Sequence, residues 1–319
     1  MGVAVGLGLF EFPFSSGASF WRWVDLCEAG GIDSIWQSDR ISGPLPMLEC
    51  MSTMAALAGG TKRLKFGMFV ASVGLRDPLL LAKQCATIDV LSDGRLLPAF
   101  GVGNPRSDDW LATATETRRS GRRADDALDI IGSLLRGESV TFDGEFHRYH
   151  EASISPLPVQ NRIPLWIGGH SRAAMRRTAR VGTGWVGGTQ PPEATATVVQ
   201  GIKSELIVSG RTIDDDHYGA GLSFRFGDVE EQVVVNELER LSAYTPGRDS
   251  RSAIAVGTKE NIVQRLREFV AAGVSKFVLR PIGSGEDDLI AQTKLLIEQV
   301  IPEVPALNPP AQKATPRNE

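Results

Sequence analysis

Long apolar runs are missing from this chain of 319 residues, and none approaches the about 18 that a membrane-spanning helix needs. Cysteine is scarce. Cys27, Cys50 and Cys85 are odd in number, far apart and never in a CxxC pair, which excludes a disulfide framework and points to the reducing cytoplasm. Of the four histidines (His147, His150, His170, His217), none stands in an HExxH pattern, so no metal is expected. The formal net charge is −4 and no basic block tracks along the chain, which argues against a nucleic-acid partner. "RRSGRR" from Arg118 to Arg123 reads as the solvated start of a helix. The opening "MGVAVGLGLF" has no basic segment before its apolar run, so it reads as a first strand rather than a signal peptide. Gly6 occupies the position where a myristoylation pattern requires Ser or Thr.

What is present is an alternation. With 42% hydrophobic and 23% charged residues the composition is that of a globular chain, of a length that suits one large α/β domain. "VAVGLGLF", "IDSIWQ", "RLKFGMFVAS" and "RLLPAFGVG" read as strands separated by helical segments. "SFWRWVDLCEAG", "LPMLECMSTMAALAGG" and "DPLLLAKQCATIDVLSDG" are the first three helices, the third with Pro78 in its first turn. After the fourth, "ETRRSGRRADDALDIIGSLLRG", the segment "SVTFDGEFHRYHEASISP" alternates about Asp143–Gly144 and predicts a β-hairpin that carries His147 and His150. Strand and helix then alternate again through "IPLWIGG", "TGWVGG", "HYGAGLSFRF" and "SKFVLRPIG". Eight strands that read apolar on both faces, with helices between them, predict a parallel sheet covered on both sides, closed as a (β/α)8 TIM barrel over residues 1–301 with the hairpin inserted after helix four. An open doubly wound sheet is the competing topology. Residues 302–319, polar and rich in proline, are expected to be a disordered tail.

A barrel of this kind does its chemistry at the C-terminal ends of its strands. Five segments distant in sequence would meet there: "SDR", "ASVGLRD", "GVGNPRSD", "GGHS" and "GGTQ". Within "SDR", Asp39 and Arg40 are either a cap and a solvated cation or charges delivered to the mouth. Arginine stays protonated near neutral pH, so Arg40 cannot be a general base; it suits an anionic substrate or developing negative charge. Gly168 and Gly169 precede a helix that starts near Ser171, a geometry suited to phosphate, with Gly188 and Thr189 completing the pocket; Ser171 either caps the helix or touches the phosphate, and His170 beside it either donates to phosphate or faces solvent. "GVGNPR" is no Rossmann fingerprint, because Arg106 stands where the third glycine belongs. Arg280, closing the last strand, is a further candidate for phosphate or substrate contact, and the tryptophans read as core, with Trp36 also a possible pocket wall.

With these segments together, the chain resembles the bacterial-luciferase-like superfamily of flavin- and deazaflavin-dependent barrel oxidoreductases over about residues 4–300. "IWQSDR", "LRDPLLLAKQCATIDVLSDGRLLPAFGVG" and "PLPVQNRIPLWIGGHSRAAMRRTARVGTGWVGG" carry the resemblance. It implies a cofactor, either the 8-hydroxy-5-deazaflavin coenzyme F-420 or FMN, with Asp39 meeting it and its ring lying against Ala71, Ser72 and Val73. Relatives that use the deazaflavin bend strand three at a non-proline cis peptide, for which Ser72–Val73 is the expected carrier. Gly101 and Gly103 would let backbone approach the ring, and Asn104 stands where some relatives have a catalytic glutamate. Arg40 replaces the histidine of a "SDH" pair, and Pro191–Pro192 stand where relatives with strong deazaflavin binding often carry a lysine.

The expected function is hydride transfer between the deazaflavin and a small organic substrate. The alternatives are a reduced-FMN-dependent monooxygenase fed by a separate reductase and a barrel that binds cofactor without turnover. An aldolase or isomerase would want a Schiff-base lysine at a strand end, whereas Lys65 and Lys276 fall at strand starts. A homodimer is expected by analogy with relatives.

Overall fold

The computed structural model describes residues 2–244 and 249–308. Its first half runs β1 (Ala4–Leu9), α1 (Gly17–Ala29), β2 (Ser34–Gln37), α2 (Cys50–Gly60), β3 (Lys65–Met68), β4 (Ala71–Ser72), α3 (Pro78–Leu91), β5 (Leu96–Leu97), β6 (Ala99–Gly101), α4 (Asp108–Ala112) and α5 (Ser120–Leu135). The two-stranded antiparallel sheet of β7 (Val140–Asp143) and β8 (Arg148–Ala152) comes next. The second half contains β9 (Trp166–Gly168), α6 (Arg172–Val181), β10 (Gly184–Thr189), α7 (Pro192–Ser209), β11 (Tyr218–Phe226) and α8 (Gln232–Tyr244). It ends with β12 (Ile254–Gly257), α9 (Lys259–Ala271), β13 (Lys276–Pro281) and α10 (Glu286–Leu295).

The main sheet is parallel throughout and curled like a barrel, in the order β4-β6-β9-β10-β11-β13-β1-β2-β3-β5, with β12 added alongside β11. Two sequence segments expected to be single strands are each interrupted. "RLLPAFGVG" breaks at Pro98, which has no N–H to give to a ladder. "RLKFGMFVAS" breaks at Phe69–Val70, and that bond is the non-proline cis peptide. The expected position, Ser72–Val73, is corrected: the bend lies three residues earlier, next to the break. Helix α2 starts later than the apolar pattern suggested, because Glu49 caps it by accepting from the Ser52 N–H at 2.7 Å. Asp77 caps α3 in the same way, with Pro78 in the first turn.

Inside the curl, Trp36, Ala99, Trp166, Val186 and Val278 from five strands form one cluster, with Phe69 and Val70 against it. The Trp36 and Trp166 rings meet edge to face at 6.2 Å. Gly67 makes room for Trp36, since a Cβ there would come within 2.7 Å of the indole. Trp36 is fully buried, so it is core rather than pocket wall. The larger core lies between the sheet and its helices.

At the N-terminal ends of the strands, Lys276 and Lys65 both pair with Asp33. That confirms these lysines at strand starts, on the face away from the mouth. The connection from Ser209 to Tyr218 lies on that same face, ahead of β11. Cys27, Cys50 and Cys85 are buried, unpaired thiols. No helix among the described residues is long and apolar enough to cross a membrane. The expected disordered tail is corrected over its first residues. Ile301–Leu307 forms a 3-10 helix, Leu307 is buried, and the Asn308 side chain accepts from the Val3 N–H. Residues 309–319 lie outside the described part.

Candidate active site at the mouth of the sheet

A cavity of about 290 Å³ opens at the C-terminal ends of the strands. Leu9, Phe69, Leu222 and Val278 make its apolar wall, and His170, Gly188, Thr189 and Gln190 form one side. It adjoins a second space of about 550 Å³ through Gly8, Leu9, Phe10, Arg240 and Arg280, which line both. A larger cavity of about 680 Å³ sits at the opposite face, against the residues that precede β9 and β10. Its position, far from the converging loops, sets it apart from the site.

The sequence candidates divide into two groups. One group reaches the cavity: His170, Gly188 and Thr189 line it directly. Gly168 and Gly169 lead into α6, where Ser171 is the cap and accepts from the Ala174 N–H at 3.2 Å. Gly169 adopts φ +108°, a conformation that favours glycine. A Cβ on Gly168 would meet Val70 at 2.9 Å, and one on Gly101 would meet the same side chain at 2.8 Å. At Gly188 a Cβ would meet nothing within 4 Å, so bare backbone is open to the cavity there. An apolar wall, open glycine backbone and the positive end of a helix dipole together fit a flat ring that carries an anionic tail.

The other group builds the frame of the mouth. The Asp39 side chain is 2% exposed and receives both Arg76 guanidinium nitrogens at 2.7 Å and the Ser72 N–H at 2.8 Å. It ties the end of β2 to β4 and to the turn that follows. Burial would lower the Arg76 pKa, but the hydrogen bonds that Arg76 donates to Asp39 and Glu49, with the charge of Asp39, more than offset this and raise it. Burial, with Asp39 beside it, pushes the Cys50 thiol up. Arg40 points toward Asp109, with 3.9 Å from Nε to the carboxylate, and Asp109 also receives the Ile41 and Ser42 N–H groups. Ala71 and Val73 are fully buried, whereas Ser72 is partly exposed. Gly103, at φ +82°, closes on the Ser72 hydroxyl. Asn104 is exposed and accepts from the Arg106 N–H, shaping its own loop.

Comparison with known proteins gives the frame a lineage. Residues 15–250 match the family described as luciferase-like monooxygenase. The chain belongs to that family. An uncharacterised Mycobacterium tuberculosis protein is 33% identical over 168 residues, 52% of this chain and 57% of that one. The chain therefore spans little more than half the length of that relative. An F420-dependent glucose-6-phosphate dehydrogenase of Microbacterium testaceum is 26% identical over 88% of this chain and 91% of its own. Among solved structures, an F420-dependent secondary alcohol dehydrogenase superposes with a TM-score of 0.81 at 15% identity, over 94% of this chain and 99% of that one. At that identity the likeness concerns the fold.

In this luciferase-like chain the mouth also holds a charged network that the motifs did not reveal. Ser223 on β11 donates to Glu237 of α8 at 2.7 Å and accepts from Arg280 of β13. Arg240 forks onto Glu237 with two bonds of 2.8 Å, and Arg280 also pairs with it. Both guanidiniums lie against the Phe10 ring, Arg240 at 4.6 Å and Arg280 at 5.1 Å. Burial would raise the Glu237 pKa; hydrogen bonds from Arg240 and the charges of both arginines outweigh it and hold the carboxyl below its usual range. Burial also pushes Arg280 down to about 10. Arg280 was visible in the sequence as a strand-end cation. Glu237 and Arg240 were not, because no local motif sets them apart from the other charged residues of their helix.

Proposed function

We propose that this chain is an oxidoreductase that passes a hydride between the 8-hydroxy-5-deazaflavin coenzyme and a small organic substrate. The reading is carried by the lining of the mouth cavity. An apolar wall stands beside the Gly168–Ser171 loop, and no carboxylate is present among the described lining residues. Hydride transfer to or from a flat ring needs burial and orientation, while the redox chemistry belongs to the cofactor. The similarity to F420-dependent dehydrogenases over 88% of the chain supports the choice of cofactor. Of the lining residues, His170 alone is of a type that titrates near neutrality.

In this reading the cofactor phosphate faces Gly168, Gly169 and Ser171, with Gly188 and Thr189 beside it. The ring rests toward Phe69–Val70, and Gly101 and Gly103 keep its approach open. Asp39 and Arg40 act by holding the mouth in shape. The reading also takes the sheet as a closed eight-unit barrel over residues 1–301, with the β7–β8 hairpin as an insertion. Joining β3 to β4 and β5 to β6 as two interrupted strands makes the β3–β5 and β4–β6 pairings one ladder, which supports closure. A homodimer completes the proposal.

A second reading, oxygen insertion with reduced FMN supplied by a reductase, is favoured by the family's description as monooxygenase. Titration of the purified protein with oxidised deazaflavin and with FMN in both redox states separates the two. Deazaflavin binding without FMN binding supports hydride transfer, and preference for reduced FMN supports the monooxygenase. Binding of neither overturns both.

A further inference from the structure

We infer that Gln190 is a ligand-contacting residue of the mouth, its carboxamide turning about its side-chain bonds so that Oε1 accepts from a neutral O–H or N–H of the molecule that occupies the cavity. The inference rests on the mouth being the working site. Gln190 is 5% exposed, yet its Oε1 has no hydrogen-bond partner. The residue lines the 290 Å³ cavity. Gln292, equally buried, shows what a structural glutamine does in this fold: Oε1 accepts from Phe226 N–H at 2.7 Å and Nε2 donates to Phe226 O at 3.0 Å. An orphaned buried acceptor is costly to the empty protein, because it has given up water without a replacement. The chain holds it in place even so. Gln190 directly follows β10, and Pro191 and Pro192 fix the backbone as it turns into α7.

The nearby wall of Leu9, Leu222 and Val278 is apolar. A single hydrogen bond there selects strongly, because a ligand lacking the donor leaves the buried amide unpaired. An imide N–H or ribityl hydroxyl of the cofactor and a hydroxyl of the substrate have this chemistry in common.

The test is Gln190→Met, which keeps the shape and removes the orphan. Without ligand, the variant should melt at least about 2 °C above wild type, since removing an unsatisfied buried polar group relieves the empty protein. Fluorescence titration should show about tenfold weaker binding of the deazaflavin or FMN if the donor is on the cofactor. If cofactor affinity is unchanged, cyclohexanol serves as a hydroxyl probe of the substrate space. A melting shift with cyclohexanol in wild type that is lost in the variant then assigns the donor to the substrate. A variant that fails to fold or melts below wild type makes the amide structural and overturns the inference. So does unchanged response to both cofactor and cyclohexanol. Wild type that binds no cofactor sinks the proposed function instead, and the ligand-free melting comparison still reads out on Gln190.

Discussion

Asp39→Asn distinguishes a carboxylate that builds the mouth from one that touches its contents. In the wild type the buried carboxylate accepts two guanidinium hydrogen bonds from Arg76 and one from the Ser72 backbone. The amide keeps one acceptor oxygen but turns N–H donors toward a group that can only donate. Hydrogen bonds to charged groups contribute about 1.5–3 kcal/mol each, and breaking a buried ion pair costs about 3–5 kcal/mol. Arg76 keeps Glu49 at 3.1 Å, which places the expected loss near the lower end, about 3 kcal/mol. With an unfolding entropy of about 2.1 cal/mol/K per residue, 319 residues give about 0.7 kcal/mol/K, so Tm should fall by about 4 °C. Differential scanning calorimetry of the ligand-free protein reads this directly. Asp39→Asn combined with Arg76→Met should recover at least half of the loss, because no buried cation is then left without its partner. A single variant that melts within about 1 °C of wild type would refute the argument and return Asp39 to the role of a ligand contact.

Other consequences follow from the same structure. Glu237→Gln should destabilise by about 2–3 kcal/mol at pH 7, through loss of charged bonds to Arg240 and Arg280. Because the folded Glu237 pKa is depressed, that contribution is present above the unfolded value of about 4.3 and is lost as pH falls through the lower folded value. Urea titrations should therefore show a wild-type advantage that is constant above about pH 5 and shrinks below about pH 4; an advantage independent of pH would count against the ionised network. Gly188→Leu should lower cofactor affinity at least about tenfold in an equilibrium titration, with Tm within about 1 °C of wild type, since its Cβ meets nothing within 4 Å. Asp89→Ala should cost about 3 kcal/mol by chemical denaturation, because the buried carboxylate receives the Val159 N–H and both the backbone and side-chain N–H of Gln160.

The alternation of apolar strands and helices made the sheet legible, since each buried parallel strand is a local apolar run whatever its partner. The start of α3 was equally local, since Pro78 marked its first turn. The glycine loops at Gly168–Gly169 and Gly188 were legible because backbone freedom is a property of residue type. What escaped was anything defined by two distant segments. Asp39 read as a cap or as a charge delivered to the mouth, and only the fold places Arg76 against it. Glu237 and Arg240 have no local motif to single them out, and it is their meeting with Arg280 of β13 that makes them part of a pocket wall. The short α4 and the strand β12 have too few residues to show a period at all.

The central claim is that a redox cofactor sits at the C-terminal mouth, between the Gly168–Ser171 loop and Gly188–Gln190. Hydrogen exchange followed by mass spectrometry, with and without saturating deazaflavin coenzyme, tests it most directly. The account predicts slowed exchange at those two loops and at Phe69–Ser72, with no change along Arg162–Leu165 and Arg211–His217 at the opposite face. Protection confined to the opposite face, or none at the mouth in a protein that binds the coenzyme, would contradict it.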